Sequence, residues 1–277
     1  MIEKIMNSRN GYYSLWPFLA LLLFLGLVLP AEAQTGDEKT AQYQKAIKLN
    51  PQDAQAYYGW GATLDEQGQY DEAITRYQKA TQLDPRLAAA HYEWGNDLSR
   101  LGRYAEACDQ FRKAVELNPR LTKTYYNWSL ALMVMGQYEQ AIQKCQKGLD
   151  INPKDPQVYT NWGVILGQEG KRAEAILKFQ EAVEIDPRFT TAYFDWGLTL
   201  MDRGRPEQAI PLFKKVVEIN SQDAQAYYQW GLALEQLDRP GEATQKFKAI
   251  SKLKSADPGT SGAARAEIFK IQKRIPR

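Results

Sequence analysis

The chain has 277 residues, of which 44% are hydrophobic and 25% charged, with a formal net charge of +2. That balance excludes a strongly basic nucleic-acid binder and gives no sign of a membrane-surface or acidic-ligand protein. With a single histidine, two cysteines and no CxxC pair, the sequence carries no metal-site signature, and no cofactor is expected.

Residues 1–33 read as a unit of their own. Lys4 and Arg9 precede an uncharged run from Leu15 to Leu29, followed by Pro30 and the small-x-small pattern Ala31-Glu32-Ala33. This is the outline of a secretory signal peptide. The rival is an uncleaved membrane anchor: the run would rise only about 22 Å as a helix, against roughly 30 Å of hydrocarbon, although Tyr12, Tyr13 and Ser14 extend it. Either way the remainder is expected outside the cytoplasm, periplasmic or secreted in the first case and membrane-anchored in the second. Residues 34–53 follow as a cap, with a polar lead-in from Gln34 to Glu38 and a helix from Thr40 to Leu49 that Pro51 stops.

From Ala54 the chain repeats. Trp60, Trp94, Trp128, Trp162, Trp196 and Trp230 recur every thirty-four residues without slippage, and six copies fill residues 54–258. Such a period specifies a stacked array of supersecondary units. In the first copy Tyr57, Trp60, Gly61 and Leu64 fall at i, i+3, i+4 and i+7, one apolar face of a helix. Ala73, Tyr77 and Ala80 give the second helix its matching face, with small residues letting the axes approach. Gly68, Gly102, Gly136, Gly170 and Gly204 are placed to end the first helices, with Asp238 in the last copy. Pro85, Pro119, Pro153 and Pro187 stop the second helices. Asp53, Asp155 and Asp223 stand where a first helix would be capped. Pro211 lies inside the second helix of the fifth copy, where a bend is expected.

Several positions depart from the pattern. His91 replaces the tyrosine of the other copies and reads as a residue at the edge of the core. Cys108 and Cys145 lie on the second helices of neighbouring copies, either as small apolar residues with free thiols or, in an oxidising compartment, as a disulfide. Residues 259–277 place Ala264, Ile268, Ile271 and Ile275 on one stripe backed by Arg265, Lys270, Lys273 and Arg274. This is a capping helix or a basic amphipathic helix that touches a membrane surface.

The pattern Tyr-x2-Trp-Gly-x2-Leu, followed by Ala-x3-Tyr and a terminal proline, resembles the tetratricopeptide repeat family over roughly residues 37 to 253. Here the family's leading Trp and following Leu are exchanged for Tyr and Trp. The resemblance implies an all-α fold, a right-handed α-solenoid of helix-turn-helix repeats. It also implies that the first helices line a concave groove that takes an extended or helical segment of a partner. Carried over position by position, the groove residues are Tyr92, Tyr126, Phe194 and Tyr228, two before the tryptophan; Asn127 and Asn161, one before; Asn96, Leu130, Val164 and Leu198, two after; and Met133 and Met201, five after. The column of rings reads equally as packing between first helices. Leu130, Met133, Val164, Leu198 and Met201 exceed what the pair packing can cover and form an apolar strip of the kind that marks a binding site. Asn127 and Asn161 could hold a bound main chain. The family's carboxylate clamp is disfavoured, because Tyr92 stands where a lysine is needed and Gln157 and Asn161 replace the distal basic pair.

No nucleophile-base pair, paired carboxylates or phosphate-binding glycine loop stands out, so an enzyme is not expected. The expectation is an exported, non-catalytic scaffold for protein partners, an assembly factor of the cell envelope. The alternatives are a regulatory or substrate-recruiting subunit of an enzyme on another chain, and a self-associating scaffold.

Overall fold

Glycine and aromatic residues meet at the centre of five of the six repeats. The computed structural model describes residues 35–254 and 256–274, so the hydrophobic run and cleavage pattern of residues 1–33 and the end of the apolar stripe at Ile275 lie outside it. Among the described residues there are fourteen α-helices and no strands. Helix α1 (Gly36–Leu49) precedes six pairs: α2 (Ala54–Glu66) with α3 (Tyr70–Leu83), α4 (Ala88–Arg100) with α5 (Tyr104–Leu117), and α6 (Thr122–Val134) with α7 (Tyr138–Ile151). The series continues with α8 (Pro156–Gln168) and α9 (Arg172–Ile185), α10 (Thr190–Asp202) and α11 (Pro206–Ile219), and α12 (Ala224–Gln236) and α13 (Pro240–Ile250). Helix α14 (Pro258–Arg274) closes the array.

Within a pair, the helices can pack closely because the first one lacks a side chain where the second presents a ring. A Cβ at Gly61, Gly95, Gly163, Gly197 or Gly231 would lie 2.4–2.6 Å from a ring carbon of Tyr77, Phe111, Phe179, Phe213 or Phe247. Those five rings are fully buried. The third repeat changes both members together: Ser129 replaces the glycine and Cys145 the ring, and both are buried. The smaller sulfur makes room for the hydroxyl, so volume is conserved across the contact.

Between pairs, the indoles are the joints. Trp94 packs against the core of the first repeat and that of the second, and Trp128, Trp162, Trp196 and Trp230 bridge successive cores in the same way. None is fully buried. The outer face of the indole is covered instead by a cation on the second helix: Arg76 over Trp60 at 3.8 Å, Lys144 over Trp128 at 3.9 Å, Lys178 over Trp162 at 4.3 Å and Lys246 over Trp230 at 3.8 Å. In the second repeat Gln110 holds that place and shares a 2.9 Å hydrogen bond with His91. His91 is buried and stacked on Trp94, and burial holds its pKa below the ordinary imidazole value. The lone histidine is therefore a neutral structural replacement for tyrosine.

The turns follow the sequence signals. Five glycines end the first helices with φ between 67° and 91°, and Asp238 takes φ 54° in the sixth. Asp53, Asp155 and Asp223 accept from the backbone N–H of Ala56, Gln157 and Ala226. Two boundaries differ from the sequence reading. Helix α1 starts at Gly36, because Thr35 and Glu38 form a capping box that converts the expected polar lead-in into a first turn. Helix α14 starts at Pro258, because Asp257 accepts from the Thr260 N–H and hydroxyl. Pro211 leaves α11 uninterrupted over Pro206–Ile219, with its ring on the exposed side.

Both ends of the stack are covered by half-units. Tyr43 of α1 lies over Gly59, where a Cβ would meet its ring at 2.5 Å. Helix α14 touches both α12 and α13, the position a seventh first helix would take, and Gln225 donates to the Thr260 hydroxyl at 2.7 Å. Ala264 and Ile271 are buried there, while Arg265, Lys270 and Lys273 face solvent. Cys108 and Cys145 are free thiols. Their helices, α5 and α7, have no Cα pair within 8 Å, so the disulfide left open by the sequence is out of reach. Burial pushes both thiols up to about 11.

Replacing Gly95 by serine should cost about 1–3 kcal/mol by overpacking against Phe111. Adding Phe111→Cys, which recreates the third repeat's pairing, should lose less than the sum of the two single changes. Urea unfolding of the four proteins measures the coupling, and strict additivity would show that the two sites do not communicate.

Candidate functional site: the face lined by the first helices

Curvature follows from which helices touch. Every first helix approaches the first helix of the next pair, from α2 to α12, whereas among the described residues no Cα of a second helix comes within 8 Å of the next second helix. The side on which axes crowd is the inner side of the bend. Helices α2, α4, α6, α8, α10 and α12 therefore line the concave face, and the candidate site lies along them.

The aromatic column is anchored from below. Tyr58, Tyr92, Phe194 and Tyr228 each lie 5.7–6.3 Å from the buried ring of their own repeat, at tilted or edge-on angles. All four rings are half-buried. Tyr126 has no ring beneath it, since Cys145 stands there, and its hydroxyl accepts instead from Gln157 Nε2 at 3.2 Å. Thr160, fourth in the column, is buried.

The asparagines behave differently from the sequence expectation. Asn161 is only 3% exposed, and its amide donates to the Ser129 hydroxyl and toward the Cys145 sulfur. It belongs to the core of the ring-less third repeat and is withdrawn from the groove. Asn127 stays on the groove, but its amide already donates to Tyr92 Oη at 3.1 Å and Asn96 Oδ1 at 2.7 Å. Asn96 in turn donates to Glu93 at 2.9 Å. The two-rung ladder for a bound main chain is thus replaced by an internal network that fixes the floor of the groove between α4 and α6.

The apolar strip runs over this floor. Leu130, Met133, Val164, Leu198 and Met201 are all partly exposed, and Val134, which the sequence reading passed over, is 56% exposed. A hollow of about 540 Å³ lies between Tyr92, Asn96, Asn127, Leu130 and Val134, and a second of about 340 Å³ adjoins it at Tyr126, Gln157 and Val158. A third, of about 270 Å³, opens between Val164, Leu198, Asp195 and Asp202.

The strip is flanked by carboxylates. Arg100 bridges Asp65 at 2.5 Å and Asp97 at 2.8 Å, tying the first repeat to the second. Asp97 is 0% exposed, and burial, with Asp65 beside it, pushes its pKa up to about 7 despite the opposing Arg100. Burial likewise raises Glu93, and lifts Asp195 to about 6. Glu93 and Asp195 follow the same register as Asn127 and Asn161, whereas Asp65, Asp97 and Asp202 read only as scattered acids until the fold places them on one face. Among the described residues no group of three or more candidate ligands could hold a metal ion, and no helix is long and apolar enough to cross a membrane.

Fold and face together define a helical-repeat solenoid with a lined concave groove. Family models of the tetratricopeptide repeat match residues 42–75, 88–121, 122–155, 156–189 and 194–258, and one described as TPR repeat matches 63–102. The chain belongs to the tetratricopeptide repeat family. Among solved structures it resembles YrrB, described as a TPR protein with an unusual peptide-binding site, at 27% identity over 68% of this chain and 96% of that one, with a TM-score of 0.53. A tetratricopeptide repeat protein from Parabacteroides merdae has 17% identity, covers 86% and 92% of the two chains, and gives a TM-score of 0.68. TTC0263, a thermophilic TPR protein of Thermus thermophilus, has 21% identity over 66% and 99%, with a TM-score of 0.55. No curated protein matches the chain.

Asp97 sets a pH dependence whose sign is fixed. Its folded pKa lies above the ordinary 3.8, so the folded chain holds a proton that the unfolded chain has released. That contribution is complete below pH 4 and is lost as pH rises through about 7. Asp97→Asn, which keeps the shape and can still donate to Asp65, should therefore stabilise the protein at pH 8 relative to the parent. The gain should shrink toward pH 4, by at most about 1.4 kcal/mol per pH unit. Thermal melts of both proteins at the two pH values test it; a gain that is the same at both would remove Asp97 as the source.

Proposed function

We propose that this protein is a non-catalytic scaffold that holds a segment of a partner protein along its concave groove, and that it works as an assembly factor of the cell envelope. One observation carries the binding reading. The first helices are drawn together, yet Leu130, Met133, Val134, Val164, Leu198 and Met201 stay partly open to solvent, with hollows beside them and no element of the described chain over them. Apolar surface in a continuous concave strip marks an interaction site. The repeats' family membership and their solved relatives support protein interaction as the general role.

The envelope part of the reading rests on the sequence of residues 1–33, whose basic start, apolar run and small-x-small end have the form of an export signal. In this reading the segment is cleaved, and the array reaches the periplasm or the exterior without a membrane contact of its own.

The non-catalytic reading rests on the chemistry of the groove. In the groove Arg100 bridges Asp65 and Asp97, and Asn96 donates to Glu93; away from it, the one histidine is neutral and buried against an indole, and the two thiols are held protonated by burial. None of these groups forms a nucleophile-base pair.

Leu130→Asp and Leu198→Asp place charge on the strip without touching the glycine-ring contacts. Partner capture from envelope extract should fall by at least about tenfold while the circular dichroism stays helical. Capture at the parental level by the double variant would remove the groove as the site.

A further inference from the structure

The first helices carry an excess negative charge that the second helices do not. The six first helices hold seven carboxylates against two cations, Lys123 and Arg100, while the second helices of the repeats are nearly balanced. Arg100 is already engaged by Asp65 and Asp97. Lys123 is exposed at the beginning of α6. The middle of the strip, on α6 and α8, presents Leu130, Met133, Val134 and Val164. The charge therefore sits at its two ends: Glu93 toward the amino end, Asp195 and Asp202 toward the carboxyl end.

The carboxyl-terminal hollow shows the arrangement best. Val164, Leu198 and Phe179 form its apolar wall, and Asp195 and Asp202 supply carboxylates. Arg172 is at the same hollow, on the exposed start of α9, but makes no ion pair with either acid among the described residues. Asp195 is largely stripped of water by its surroundings and is given no compensating cation. An unpaired, desolvated carboxylate costs stability that a guest cation would return on binding.

Resting on the groove reading above, we infer that the partner segment has an apolar centre with lysine or arginine at both ends, the aliphatic stems lying along Val164 and Leu198 and the cationic tips meeting Asp195, Asp202 and Glu93. Lysine and arginine suit such a place because their stems are apolar and only their tips require charge. A neutral apolar segment would leave the half-buried Asp195 unpaired, and an acidic one would be repelled from both ends.

Fluorescence anisotropy on the array with three labelled peptides tests this: a leucine-alanine centre flanked by lysines, the same centre flanked by glutamines, and the same flanked by glutamates. The lysine-flanked peptide should bind at least about tenfold more tightly than the glutamate-flanked one, with the difference shrinking as salt is raised. Asp195→Asn with Asp202→Asn should remove most of the preference for the lysine-flanked over the glutamate-flanked peptide. Equal binding of the lysine and glutamate peptides, or an undiminished preference in the double variant, would overturn the charge inference and leave the groove standing. If instead Leu130→Asp with Leu198→Asp left binding of all three peptides at the parental level, the groove reading itself would fall, and this inference with it.

Discussion

The contact between a missing side chain and a ring is what the rest of the array depends on. With Gly61, Gly95, Gly163, Gly197 and Gly231 flat against Tyr77, Phe111, Phe179, Phe213 and Phe247, five of the six helix pairs close on a fully buried aromatic and share one spacing. That spacing decides where the outward faces point. It sets the indoles at the joints and turns the first helices toward one another, so the curvature is a consequence of a contact deep inside each unit. The third repeat supports the same rule by exception. Once the ring becomes Cys145, the glycine becomes Ser129, and Asn161 of the next repeat satisfies the new hydroxyl. A pairwise constraint has been replaced by a hydrogen-bonded one that spans two repeats, and the joint between them is correspondingly polar.

Much of the fold was legible in the sequence because a one-dimensional array repeats its evidence. Six tryptophans at one interval, glycines at the ends of first helices and Asp53, Asp155 and Asp223 at their starts each state a local rule, and local rules are what a sequence displays. Where the reading went astray, the information was relational. Asn161 lies in the register of Asn127, and nothing in its own repeat says that it will be buried; the reason is the absence of a ring at Cys145, on a helix of the preceding repeat. The cations over the indoles were invisible for the same reason. Arg76, Lys144, Lys178 and Lys246 look like surface charges until their helix is packed beside the tryptophan helix. Thr35 and Glu38 are the opposite case, a local capping box that a search for the apolar stripe alone passes over.

The candidate site was legible in outline only. The apolar strip follows from counting what the pair packing cannot bury, and the structure leaves those residues partly open. The internal network of Asn127, Tyr92, Asn96 and Glu93 could not be read beforehand, since its members come from two repeats and meet only across the bend. Its effect is to hold the groove floor in one arrangement before anything binds, which lowers the ordering cost that a partner would otherwise bear.

A scaffold of this kind can separate stability from recognition. The buried glycine-ring contacts and the indole joints lie beneath the first helices, whereas the strip and its flanking carboxylates occupy positions one, two, three, five and six residues away from the tryptophans. Because each repeat is held chiefly by its neighbours, the cost of a poorly solvated acid such as Asp195 or Asp97 stays local and is borne by one joint. A single-core globule would feel that cost throughout. The array can therefore keep poorly solvated acids along its inner face at little cost to the rest of the stack.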